Sequence, residues 1–170
     1  MKKTKLYIGL VFSLVISLYG CYSFKGISIP PEAESFYVKD FVLRANNAPA
    51  QIDQLWSEAL REKIRNESRL TYNEKSPDIE FEGSITSYKV IGTAPQAGNT
   101  VSLNKLTIGV NVTYINNASD GAKDNEWTQS FSFFKDFDAT LDLNSVEEDF
   151  IEEIFEQLTE NVFNKAFTNW

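Results

Sequence analysis

The chain has 170 residues, 42% of them hydrophobic and 14% aromatic, with 24 acidic side chains against 16 basic ones and a net charge of −8. That balance excludes a general binder of nucleic acid or of anionic membrane, and the aromatic content excludes a disordered stalk. With no histidine and one cysteine, the usual general base, the commonest metal ligand and every Ser-His-Asp or Cys-His arrangement are missing.

The first segment is a leader. Lys2, Lys3 and Lys5 give a basic start, Leu6 to Leu18 an apolar core, and Gly20 a small residue before Cys21. A secretory leader has this order, with an apolar region of roughly 7–15 residues. Leu18 and Gly20 fit the −3 and −1 positions of a lipobox, although Tyr19 is bulkier than usual. We therefore expect residues 1–20 to be a lipoprotein signal peptide, with Cys21 as the site of lipid attachment. Cleavage removes three lysines and no acid, leaving a net charge of −11. It also leaves no thiol for a disulfide, so the fold must rest on its core.

Residues 21–34 contain Gly26, Pro30 and Pro31 and read as a tether, with a candidate strand at Tyr22–Ile29. The single domain then spans 35–170. Phe36 to Val42 is rich in β-formers and predicts a strand. Ile52, Leu55, Trp56, Ala59, Leu60 and Ile64 recur at helical spacing and predict an amphipathic helix ending near Leu70.

Three alternating segments follow, carried by Ile79-Phe81-Gly83-Ile85, by Leu106-Ile108-Val110-Val112-Tyr114, and by Trp127-Phe131-Phe133. Strict alternation predicts antiparallel strands with one packed and one polar face. Their connections, around Ala94–Asn99 and Asn116–Gly121, are rich in turn residues.

The last segment is a second helix. Ser145 and Glu148 have capping-box spacing. Val146, Phe150, Ile154, Phe155, Leu158, Val162, Ala166 and Phe167 supply its apolar stripe, and acids from Glu147 to Glu156 crowd its first half, where they suit the helix dipole. The expected fold is α+β, a two-layer sandwich of a four-stranded, mainly antiparallel sheet with two amphipathic helices on one face.

Little chemistry is legible. Asp136 and Asp138 are the nearest thing to a paired-carboxylate site, and the simpler reading is a solvated turn. Phe131, Phe133, Phe150, Phe155 and Phe163 are expected in the core rather than around a lipid cavity. No cofactor is expected beyond the covalent lipid on Cys21, and no enzyme activity.

Several segments together carry a family resemblance. They are Gly20-Cys21-Tyr22-Ser23-Phe24 with Pro30-Pro31, Asn46-Asn47-Ala48-Pro49, Glu58-Ala59-Leu60-Arg61 and Asp78-Ile79-Glu80-Phe81-Glu82-Gly83. Ala94-Pro95-Gln96-Ala97, Glu152-Glu153-Ile154 and Phe163 to Trp170 complete the set. In their order they resemble the short form of the LptE family of lipopolysaccharide-assembly lipoproteins. The resemblance implies an anchor in the periplasmic leaflet of the outer membrane. It implies a large LptD-type β-barrel as partner, with the domain as its plug and assembly aid, and lipopolysaccharide as ligand.

A ligand with phosphates and acyl chains calls for cations beside apolar surface. Lys105 and Lys89 are the candidates, with Arg44 weaker. Pro95, Gln96, Ala97 and Gly98 are the candidate barrel contact. The alternative function is a stand-alone, lipid-anchored periplasmic carrier of an amphipathic lipid.

Overall fold

The structure is a computed structural model that describes residues 28–93, 102–118 and 126–168. The leader, Cys21, the expected Tyr22–Ile29 strand except for Ser28 and Ile29, which are in no strand, Pro95 to Gly98 and Trp170 lie outside those residues. The elements in chain order are β1 (Ser35–Val38), β2 (Val42–Leu43), helix α1 (Ile52–Glu67), β3 (Thr71–Tyr72), β4 (Ile79–Thr93), β5 (Leu103–Asn116) and β6 (Trp127–Asp138). A 3-10 turn (Leu143–Ser145) and helix α2 (Glu147–Phe167) close the described fold.

The strands make one sheet in the order β3-β1-β4-β5-β6, with β2 also paired to β4. The β4–β5–β6 meander is antiparallel, as the alternation requires. The rest corrects the expected four-stranded, mainly antiparallel sheet. It is a mixed sheet of six strands in which β1 runs parallel to both β3 and β4, and β2 runs parallel to β4. The reason is the helix between them: a crossover carries the chain back to its starting edge, so the next strand enters in the same direction.

The single strand expected over Phe36–Val42 is broken in two. Lys39 N–H donates to the Phe81 carbonyl, and Phe41 N–H leaves the ladder to donate to Ser57 Oγ on α1 at 3.0 Å. That turn carries the Phe41 ring into the core, edge-on to Trp56. Helix α1 stops at Glu67 rather than Leu70, because Ser68 is extended, and Leu70 is buried beyond the helix.

The expected capping box at α2 is not formed. Ser145 belongs to the preceding 3-10 turn, where its hydroxyl donates to the Asp142 carbonyl at 2.7 Å, so Val146 caps α2 without a side-chain hydrogen bond. Ile154, Phe155, Leu158, Val162 and Phe167 face inward as the stripe predicts. Ile151 and Phe163 join them, while Val146, Phe150 and Ala166 are half-buried.

The core lies between the sheet and the two helices. Trp56 packs edge-on against Phe155, and Phe167 against Phe81 and Tyr114, so both helices cover the same sheet face. Phe155 and Phe163 are core residues. Phe131 and Phe133 are half-buried, since β6 has a neighbour on one side only.

One carboxylate holds the entry to the sheet. Asp78 Oδ2 accepts from the Glu34 and Ser35 backbone N–H groups and from the Ser35 hydroxyl, which in turn accepts from Asp78 N–H. The Ser35 hydroxyl, then the backbone donors, favour the ionised form and hold the Asp78 carboxyl below its usual value. A pKa lower in the folded than in the unfolded chain stabilises above the unfolded value, about 3.9, and that contribution is lost as pH falls through the folded value. Asp78→Asn is therefore expected to cost about 1 kcal/mol at pH 7. The deficit should shrink below about pH 4, which urea titrations of both proteins at several pH values would measure. A deficit that does not change with pH would assign Asp78 no electrostatic role.

Candidate functional site

The sheet face away from the helices carries the polar half of each alternation. Near the Asn116 end of β5 it is held to β6 by short polar ties: Thr113 Oγ1 to Thr128 Oγ1 at 2.9 Å, and Asn111 Nδ2 donating to Ser130 Oγ at 3.0 Å. In the middle, a bulge at Thr86 shifts the β4 register between Ile85 and Ser87, and the Thr86 hydroxyl donates to the Gly109 carbonyl.

Beyond the bulge the chemistry of this face changes. Lys89 pairs with Thr107 and Thr107 with Phe134, while on the next rung of the same face Ile91 pairs with Lys105 and Lys105 with Asp136. Ile91 is 56% exposed and Phe134 46% exposed, two large apolar side chains beside the lysines. The Lys105 ammonium sits 3.8 Å from the centre of the Phe134 ring and 3.7 Å from an Asp136 carboxylate oxygen. The ring attracts the ammonium through its negative face, and the carboxylate offsets part of its charge. Lys89 is exposed and forms no ion pair among the described residues.

The sheet thus brings Lys89 and Lys105 together beside apolar surface. It does not bring Arg44 to them. Arg44 is exposed just after β2, where its backbone N–H donates to the Ile85 carbonyl, and it shares no rung with either lysine. The candidate barrel contact at Pro95, Gln96, Ala97 and Gly98 falls in the β4–β5 connection, outside the described residues. Asp136 and Asp138 do not form a facing pair of catalytic acids. Asp136 lies by Lys105, and Asp138 accepts from the Thr140 hydroxyl at 2.6 Å and from its N–H at 2.8 Å. Those bonds hold the Asp138 carboxyl below its usual value.

Phe134 and Ile91 join the lysines here, and the sequence carries a signal for both. In the polar register Ser130-Ser132-Phe134-Asp136, Phe134 is the one apolar residue, and Ile91 shares the register of Lys89.

What the patch can do is binding. It offers two ammonium groups to an anion and two apolar side chains to a hydrocarbon, within two rungs. Among the described residues no helix is long and apolar enough to cross a membrane.

The comparisons with known proteins agree with this architecture. Lipoprotein B from Nitrosomonas europaea is similar in fold, with a TM-score of 0.50 at 11% identity over 81% of this chain and 88% of that one. A neuraminyllactose-binding hemagglutinin homolog from Helicobacter pylori is similar at a TM-score of 0.51 and 8% identity, over 85% of this chain and 89% of that one. At such identities the likeness is one of fold alone. None of the curated proteins matches the chain in sequence. A family model, LptE, lipopolysaccharide-assembly, does match, over residues 34–166, which takes in every strand and almost all of both helices. The chain belongs to the LptE family.

Proposed function

We propose that the protein is an outer-membrane lipoprotein that assists lipopolysaccharide transport and assembly at the cell surface, as plug and assembly partner of an LptD-type barrel. The family match over residues 34–166 carries this reading. In it, Cys21 bears the lipid that holds the domain at the periplasmic leaflet. Two or more acyl chains give stable anchoring where one is marginal. The role is binding and scaffolding, with no catalytic step.

The outer sheet face supports the ligand part of the reading. A lipopolysaccharide phosphate would meet Lys89 and Lys105, and its acyl chains would lie along Ile91 and Phe134. The polar surface of Ser, Thr and Asn side chains across β5 and β6 suits a polar barrel lumen.

The test is a crosslinking pull-down from membranes of cells carrying the full chain. The expected result is a large outer-membrane barrel recovered with Cys21-lipidated protein. Lipidated protein recovered with stoichiometric lipid and no barrel would instead support the stand-alone carrier. For the ligand face, the Lys89→Ala, Lys105→Ala double variant is expected to bind purified lipopolysaccharide about tenfold more weakly, with unchanged thermal stability. Undiminished binding would remove this face from the reading.

A further inference from the structure

A second surface, on the opposite side of the molecule, has the reverse charge. Helices α1 and α2 run in the same direction, since Trp56 meets Phe155 and, further along, Lys63 meets Glu160. Between them, away from the sheet, lies an open groove of about 510 Å³. Its floor is apolar: Leu55 and Ala59 line it above the buried Ile151 and Phe155. Leu55 is 53% exposed, so the floor begins with a large apolar side chain left open to water.

The rim is acidic. Glu62, Glu148, Glu152 and Glu156 line the groove, are exposed, and form no ion pair among the described residues. Lys63 is the one base in the lining, and it is already held by Glu67 at 2.7 Å and by Glu160, which closes the far end. Glu147 is also committed, accepting the Tyr88 hydroxyl.

These features select an occupant. Four unpaired carboxylates repel a phosphate-bearing lipid. They also repel a second copy of this chain, whose net charge is −8. The carboxylates do not converge on a point either: among the described residues no three acids are placed to hold a metal ion. What fits is an apolar stripe flanked by cations. From Leu55 to Asn66 the groove follows α1 for roughly 16 Å at about 1.5 Å per residue, enough for three turns of a docked helix. We infer that the α1–α2 groove is a docking site for a basic amphipathic helix of a partner protein, with apolar anchors on Leu55 and Ala59 and Lys or Arg side chains on the glutamate rim. Helix-in-groove recognition works by this division of labour, anchors supplying affinity and rim charges supplying orientation and selectivity. The site is independent of the lysine-bearing sheet face, and neither stands or falls with the other.

The test uses the full chain in phosphatidylcholine nanodiscs, with empty discs as control. The probe is a fluorescent 14-residue peptide, about four turns, with Leu at i, i+3, i+4 and i+7 spacing and Lys elsewhere. Saturable binding is expected, weakened about tenfold or more by the Glu148→Gln, Glu152→Gln, Glu156→Gln triple variant. Leu55→Ser, at an exposed position, should weaken it several-fold while leaving Tm unchanged. A peptide with Glu in place of Lys should not bind. Equal binding by the triple variant or by the acidic peptide would overturn the inference, as would signal from empty discs alone or self-association of the chain through Leu55.

Discussion

Replacing Trp56 with alanine is expected to lower stability by about 4 kcal/mol, in the range for large aromatic truncations in a closed core. Trp56 is fully buried and links three elements. Its ring lies 5.9 Å from Phe41, in the turn that splits β1 from β2, and 5.2 Å from Phe155 on α2, both edge-on. Removing it opens a cavity where both helices meet the sheet. The indole N–H finds no hydrogen-bond partner among the described residues. Trp56→Phe should therefore be mild, below about 1.5 kcal/mol, because it keeps much of the ring packing and removes an unpaired buried donor. Urea unfolding of both variants distinguishes them, and equal losses would mean the ring contacts are not what holds the junction.

The second large effect is predicted at Gly83. It occupies a core-facing position of β4, opposite Val112 on β5. A Cβ there would lie 2.0 Å from the Asn111 carbonyl oxygen and 2.7 Å from the Phe41 ring. The oxygen belongs to the sheet ladder and cannot swing away, so the added methyl must displace a strand or expel Phe41. Gly83→Ala is expected to cost about 3 kcal/mol, at the upper end for overpacking. A Gly83→Ala, Phe41→Leu double variant, with less bulk above the methyl, should recover part of that loss in thermal melts if the ring contributes to the clash. No recovery would place the whole cost on the backbone contact.

Local periodicity made much of this fold legible, and pairing between distant segments did not. The stripe from Ile52 to Ile64 located α1, and alternation located β4, β5 and β6 with their faces. The two-residue strands β2 and β3 are too short to carry a period. The parallel neighbours of β1 follow from the α1 crossover, which no local pattern encodes. Ser145 and Glu148 have the spacing of a cap, but Asp142 starts a turn three residues earlier and takes the Ser145 hydroxyl.

The site followed the same division. Lys89 and Lys105 are recognisable as cations on polar faces. Their alignment on adjoining rungs depends on the bulge at Thr86, which a single chain pattern does not reveal. The acids of α2 read as a wet face because their opposite wall is α1, supplied from far along the chain.

The parallel placement of β1 also bears on the order in which the protein can assemble. Ser35 to Val38 precedes the other strands in the chain, yet its partners are Thr71-Tyr72 and Ile79 to Phe81, which come after α1. Until then Phe36 and Val38, both fully buried in the finished domain, have no strand to join. The β4–β5–β6 meander, by contrast, pairs strands that are adjacent in sequence. A chain folding after export must therefore keep an apolar N-terminal strand from mispairing while its sheet is still being made, and this is the stage at which a holding chaperone would matter most.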